Sequence, residues 1–290
     1  MIPQFNIVAW SAKAPWPAPR QVEQDLIISR ALVEIFSDPF LQAQLRFRGG
    51  TALNKLFFPK PLRYSEDIDL TRTAEGPFKP IIDHLRDALE PWLGKATYDR
   101  SATAPKLRFR VPAEDGSGEL KLKVEINTEE IEAYDQVQAL PFSVENPWFN
   151  GAADISTFSF EEILATKLRA LLQRDKGRDL LDLSHSLDVR PNLSPERIVT
   201  FMGRYLAAKE TRISRAQAEE RMFAKLTAAK FIRDKRPLLP PDSAAEFTDD
   251  AVRKAFVRVF RRLINAMPGT AWARTPEMIE RFEIDLSVEG

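Results

Sequence analysis

The chain has 290 residues, 44% apolar and 29% charged, with 42 Lys and Arg balanced by 42 Asp and Glu. Zero net charge excludes a global basic field, so any nucleic-acid contact has to come from a local patch. The absence of cysteine excludes disulfides, thiol nucleophiles and Cys-ligated zinc. Having only His84 and His185 excludes a His-rich metal centre, which leaves oxygen ligands for any metal.

The first 19 residues, with Pro15, Pro17 and Pro19 set among Trp10 and Trp16, read as an extended arm that its tryptophans can dock. Val22, Leu26, Ala31, Leu32, Ile35 and Phe36 follow a helical spacing from about Arg20 to Ser37. Leu45–Arg48 predicts a short strand, Gly49-Gly50 breaks it, and a helix is expected from Thr51 to Phe58. After the loop at 59–62, Glu66–Arg72 predicts a strand and Lys79–Leu93 a helix. Strands are expected near 95–101, 106–111 and 119–127, the last two joined by the turn Asp115-Gly116-Ser117-Gly118. Composition changes near residue 150. Ser159 and Glu162 carry the spacing of a helix start, and that helix runs through Leu164, Lys167, Leu168 and Leu172. Further helices are expected at Arg178 to about Ser186 and at roughly 194–208, 214–230 and 248–266. The stretch 236–241 reads as a loop. No early apolar region marks a signal peptide, and no apolar run reaches the roughly 18 residues of a membrane helix. The expectation is a cytoplasmic protein without membrane contact.

The most informative segment is Gly49-Gly50-Thr51 followed by Ser65-Glu66-Asp67-Ile68-Asp69-Leu70. Residues i and i+2 of a strand share a face, so Asp67 and Asp69 project together while Ile68 and Leu70 turn toward a core. Two adjacent carboxylates repel unless a cation lies between them, and Mg²⁺ is held by one or two carboxylates plus substrate phosphates. Alone, an Asp-x-Asp is most often a solvated surface pair. The apolar strand around it and the glycine turn before it favour a site. Gly49-Gly50 would let the backbone approach a phosphate, and Thr51 would cap the helix or donate to a phosphate oxygen. No Gly-Lys-Ser/Thr follows, so this is not a Walker loop.

Taken together, Arg48-Gly-Gly-Thr-Ala-Leu-Asn-Lys-Leu and Arg63-Tyr-Ser-Glu-Asp-Ile-Asp-Leu70 resemble the AbiEii/AbiGii-type nucleotidyltransferase toxins of the DNA polymerase β-like superfamily. Glu162-Ile-Leu-Ala-Thr-Lys167-Leu-Arg-Ala-Leu and Arg178-Asp179-Leu-Leu-Asp182-Leu are similar to the family's later motifs. The match spans about 48 to 183. The resemblance implies an α+β fold: a nucleotidyltransferase core with a mixed β-sheet flanked by helices at 20–150, then an all-helical part at 151–290. It implies an NTP substrate, Mg²⁺ or Mn²⁺, and a toxin restrained by a cognate antitoxin. Some members extend the 3′ acceptor end of tRNA, so RNA, and tRNA above all, is the expected acceptor.

Residue by residue, the resemblance makes Asp67 and Asp69 metal ligands, with Glu125 as a third carboxylate where the superfamily more often has aspartate. The bland reading of Lys123 and Glu125 is a surface charge pair. Lys167 would contact NTP phosphates, although a lysine beside an apolar stripe can also simply snorkel. Asp182 matches the last essential acid. Asp179 shares its helix face and could instead pair with Arg178 or Lys176. Ser65 sits at the site's edge and is phosphorylated in some relatives. Arg46, Arg48, Lys55, Lys60 and Arg63 would attract NTP and RNA, and the basic runs 233–236 and 253–262 are further RNA candidates. Three alternatives stand beside this reading: transfer to a protein or small molecule, a catalytically silent antitoxin-like binder, and a DxD glycosyltransferase, which gives no reason for the glycine turn or the later lysine.

Overall fold

A computed structural model describes residues 2–227 and 248–286. It divides into two compact units, Met1–Ser159 and Phe160–Gly290.

The first unit is built on a seven-stranded mixed sheet. Its strands are β1 (Leu45–Arg48), β2 (Asp67–Arg72), β3 (Thr97–Asp99), β4 (Lys106–Pro112), β5 (Glu119–Asn127), β6 (Gln138–Asn146) and β7 (Phe149–Thr157). The spatial order is β3-β4-β5-β2-β1-β7-β6. β2 pairs parallel with β5 and antiparallel with β1, which puts the acid-bearing strand in the middle of the sheet. Helix α2 (Pro19–Ser37) buries Leu26, Ile28, Leu32, Ile35 and their neighbours against the sheet. The short helix α3 (Pro39–Gln44) and the amphipathic α5 (Lys79–Leu93) pack beside it, α5 through Ile81, Leu85 and Leu89. Asp38 caps α3, accepting from the backbone N–H of Phe40 at 2.8 Å and Leu41 at 3.1 Å.

Three sequence expectations change here. The segment 1–19 is not an extended arm. It contains helix α1 (Gln4–Trp10), and Trp10 and Trp16 donate to the two oxygens of buried Asp25 at 2.8 and 3.1 Å. The helix at the glycines starts earlier than expected, at Gly49, and α4 (Gly49–Ala52) continues as a π-turn over Leu53–Phe57. The hairpin β6–β7 was unforeseen, and a boundary at 150 would cut through β7. Pro141 in β6 and Gly151, Ala152 and Ala153 in β7 hide these strands, because none has strong β-propensity.

The second unit is helical throughout its described residues. It comprises α6 (Phe160–Gln173), α7 (Gly177–Val189), α8 (Pro195–Ala207), α9 (Arg215–Thr227), α10 (Asp249–Val259), which runs into a π-turn at Phe260–Ile264, and α11 (Thr275–Arg281). Phe223, Phe256 and Phe260 form its aromatic core, with ring centroids 5.4–5.5 Å apart. The expected loop at 236–241 and the basic run 233–236 lie outside the described residues. No described helix is long and apolar enough to cross a membrane.

Candidate active site

Asp67 and Asp69 stand side by side on β2, and the buried Ile68 and Leu70 alternate onto the other face. The parallel register brings Lys123 of β5 beside Asp67, and Glu125 beside Asp69. The Lys123 ammonium lies 3.0 Å from Asp67 Oδ2 and 3.0 Å from Glu125 Oε2. Lys106 reaches the same Glu125 oxygen at 3.5 Å. Burial works to discharge Lys123, but its two carboxylate partners outweigh this and hold its pKa above the usual lysine range. Asp69 moves the other way from an ordinary aspartate. Burial, then the like charges of Asp67 and Glu125, push its pKa up, while Lys123 and Arg48 oppose. The strand therefore carries a carboxylate pair that needs positive charge, and the chain's own lysine supplies part of it.

Gly49 closes the other side of Asp69. Its φ is +81°, and a Cβ on it would lie 2.4 Å from Asp69 Oδ2. Only glycine lets the backbone come this close to the carboxylate. Gly50 is fixed from behind, where Asn54 donates to its carbonyl at 2.8 Å and accepts from the N–H of Leu62 at 2.7 Å. Thr51 is not turned outward, as the expected phosphate contact needs. Its buried hydroxyl reaches the Asp67 carbonyl at 2.5 Å and the Ser65 hydroxyl at 2.6 Å. With the Thr51 proton given to the carbonyl, Ser65 donates to Thr51.

The expected three-carboxylate cage is not assembled. Among the described residues no group of three or more Asp, Glu or His side chains could hold a metal ion, and Glu125 is taken up by Lys123 and Lys106. Asp67 and Asp69 fit a smaller role, as the one or two carboxylates Mg²⁺ takes from a protein when phosphates complete its shell. Lys123 pairs with Glu125 as the sequence allowed, but its bond to Asp67 was not expected. No local signal in the sequence could link it to Asp67, because only the β2–β5 register brings them together.

Most of the basic residues near the glycine turn are consumed internally. Arg46 donates to the Ile131 carbonyl, Arg48 pairs with Glu130 at 3.0 Å, and Arg63 is buried against the Tyr64 carbonyl. Lys55 pairs with the buried Asp25 at 2.6 Å. Lys60 alone of this set is exposed.

In the second unit, Lys167, Asp179 and Asp182 form a buried ion cluster. Lys167 Nζ lies 2.8 Å from Asp182 Oδ2 and 3.3 Å from Asp179 Oδ1, and both aspartates are fully buried. Arg174 grips Asp179 with two bonds of 2.8 and 3.0 Å, which replaces the expected Arg178 or Lys176 partner. Two cations thus balance two acids. Arg174 was legible, since it lies seven residues after Lys167 and so on the same helix face. Nearby, burial pushes the His185 imidazole below its usual pKa, against the pull of Asp188 and Asp182. Of the second basic run, Arg258 pairs with Asp188 and donates to Ser184, and Arg262 donates to the Pro191 carbonyl.

A protein-family model described as nucleotidyl transferase AbiEii toxin, type IV toxin–antitoxin system, matches residues 30–262. Comparison with curated proteins gives no match. Among solved structures, MenT4, a nucleotidyltransferase toxin from Mycobacterium tuberculosis H37Rv, has a TM-score of 0.65. Its sequence identity is 17%, and the match covers 98% of this chain and 97% of that one. JHP933 from Helicobacter pylori gives a TM-score of 0.49 at 15% identity, over 82% of this chain and 93% of that one. At 17% identity the likeness to MenT4 bears on the fold alone, a mixed sheet with flanking helices.

Proposed function

Because the chain belongs to the AbiEii nucleotidyltransferase toxin family, we propose that it transfers nucleotides from NTP to the 3′ end of an RNA, tRNA above all, using Asp67, Asp69 and Mg²⁺ or Mn²⁺. A cognate antitoxin is the partner expected in a type IV toxin–antitoxin system. The observation that carries the reading is the meeting of Gly49 with Asp69: a glycine-only backbone turn abuts the central carboxylate pair. A backbone approach of this kind suits a nucleotide's phosphates, and the paired acids suit a divalent ion shared with them.

The ion, when bound, would neutralise charge on the triphosphate and on the leaving pyrophosphate. Asp67 and Asp69 would hold it. The acceptor hydroxyl oxygen attacks the α-phosphorus, the bond to the β-phosphate oxygen breaks, and the hydroxyl proton passes to the carboxylate pair. Lys123 gives Asp67 a counter-charge before substrate arrives. Ser65, hydrogen-bonded to Thr51 behind the acid strand, is where a phosphate would add repelling charge.

Incubation with α-labelled NTPs and either RNA or protein tests the acceptor. Label on RNA, abolished by EDTA, is the expected result. Label on protein alone would replace RNA by a protein acceptor.

A further inference from the structure

We propose that the groove on the β5 side of Asp67 is the docking track for the phosphodiester backbone of a single-stranded RNA end. This rests on the nucleotidyl-transfer reading and adds where the acceptor lies. The groove encloses about 490 Å³ and is lined by Arg20, Arg108, Lys121 and Lys123, with Asp67 at one edge. Its size falls within the ~300–1,000 Å³ of sites that hold small organic groups such as a nucleotide.

The sheet register brings these cations beside Asp67. Arg108 of β4 is paired with Lys123 of β5, which is paired in turn with Asp67 of β2. Lys121 lies two residues before Lys123 and so on the same face. Arg20, near the start of α2, is anchored over the groove by its 3.0 Å bond to the Glu119 carbonyl.

The charge is available for a ligand. Three acids also line the groove: Glu66, Asp67 and Glu119. Lys123 matches Asp67 at 3.0 Å, and Arg110, outside the groove, matches Glu119 at 3.2 Å. That leaves Arg20, Lys121 and Arg108 against Glu66. Lys121 is exposed and makes no ion pair among the described residues. Arg108 is held only by a 3.4 Å pair with Asp99, and both side chains are about half exposed, which makes the pair weak. By contrast, Arg46, Arg48, Lys55 and Arg63 near the glycine turn are spent inside the fold.

Position and repetition favour a nucleic acid. Gly49 lies against Asp69 from the β1 side, and the groove reaches Asp67 from the β5 side. A triphosphate at the glycine turn and an acceptor in the groove would then approach the acids from opposite sides, as in-line displacement requires. Arg20 of α2, Arg108 of β4 and Lys121 of β5 line one groove, and several cations along a groove match a repeating anion. A protein acceptor would bring one hydroxyl without such a series.

The test uses the full chain carrying Lys121→Ala and Arg108→Ala, both at exposed positions. Binding of a fluorescent single-stranded RNA is followed by anisotropy across a salt series, and KM for RNA and for NTP by end-labelling. The expected result is about tenfold weaker RNA binding, a matching rise in KM for RNA, and unchanged KM for NTP. The log–log salt slope should fall by about one per cation removed. Lys121→Arg should retain wild-type binding. If the wild type labels RNA while the double variant binds it with unchanged affinity and slope, the groove assignment falls and the transfer reading stands. If the wild type labels only protein, both fall.

Discussion

Gly49 leaves the least latitude around the acid strand. An alanine methyl would collide with Asp69 Oδ2 at 2.4 Å and face a φ of +81°. Gly49→Ala should lower kcat by about 100-fold, the effect of displacing a reacting group by about an ångström. Stability should fall by only about 1–3 kcal/mol. Turnover and thermal melting of the same preparation check this, and activity within threefold of wild type would show that Asp69 tolerates displacement. Lys167 is a different case, because its main measurable role in the folded chain is electrostatic. Lys167→Met removes the cation that bridges the fully buried Asp179 and Asp182, while Arg174 stays on Asp179. Breaking a buried pair in this way costs about 3–5 kcal/mol, to be read from urea unfolding. A loss under 1 kcal/mol would mean the aspartates are compensated otherwise. At this scale the sequence displayed the acids and glycines but not their partners. Lys123 and Glu130 reach Asp67 and Arg48 only through strand pairing and loop closure. Neither depends on local spacing.

Among the elements, the acid strand and the long helices were legible because their apolar periods are strong: Ile68 and Leu70 on β2, and Leu26, Leu32 and Ile35 on α2. The β6–β7 hairpin was not, since the pairing of its two strands with each other, joined to β1 at Phe47 and Thr157, and not its own composition fixes it as sheet. Helix α1 was hidden by the prolines that follow it, and its anchor, Asp25, lies on another element. Short α3 depends on one residue. Burial tends to raise the Asp38 pKa, but the hydrogen bond from His84 and the N–H groups of Leu41 and Phe40 outweigh it and hold the carboxyl below the usual range. A lowered acid pKa means stability that is full above the ordinary aspartate range and is lost as pH falls through the lowered value. Asp38→Ala should therefore cost about 0.5–2 kcal/mol at pH 7, and the difference from wild type should shrink in acid. Melting curves at pH 7 and pH 3 measure both. A pH-independent difference would remove the carboxylate from the explanation.

At the scale of the whole molecule, the sequence drew its boundary at a change of composition near residue 150, and the compact units divide between Ser159 and Phe160. Charge was less legible. Zero net charge pointed to a local patch, and the sequence offered the cations closest to the glycine turn. The fold ties most of those to carbonyls and carboxylates and leaves Lys121, Arg108 and Arg20 beside Asp67 instead. As proposed, Asp67 and Asp69 serve the addition of nucleotides to an RNA end. Sequencing RNA 3′ ends after reaction with each NTP in turn, for wild type and for Asp67→Asn, tests this. Untemplated nucleotides on the 3′ ends from the wild type and none from the variant are expected. Unchanged ends with the wild type, or equal extension by Asp67→Asn, would overturn the assignment.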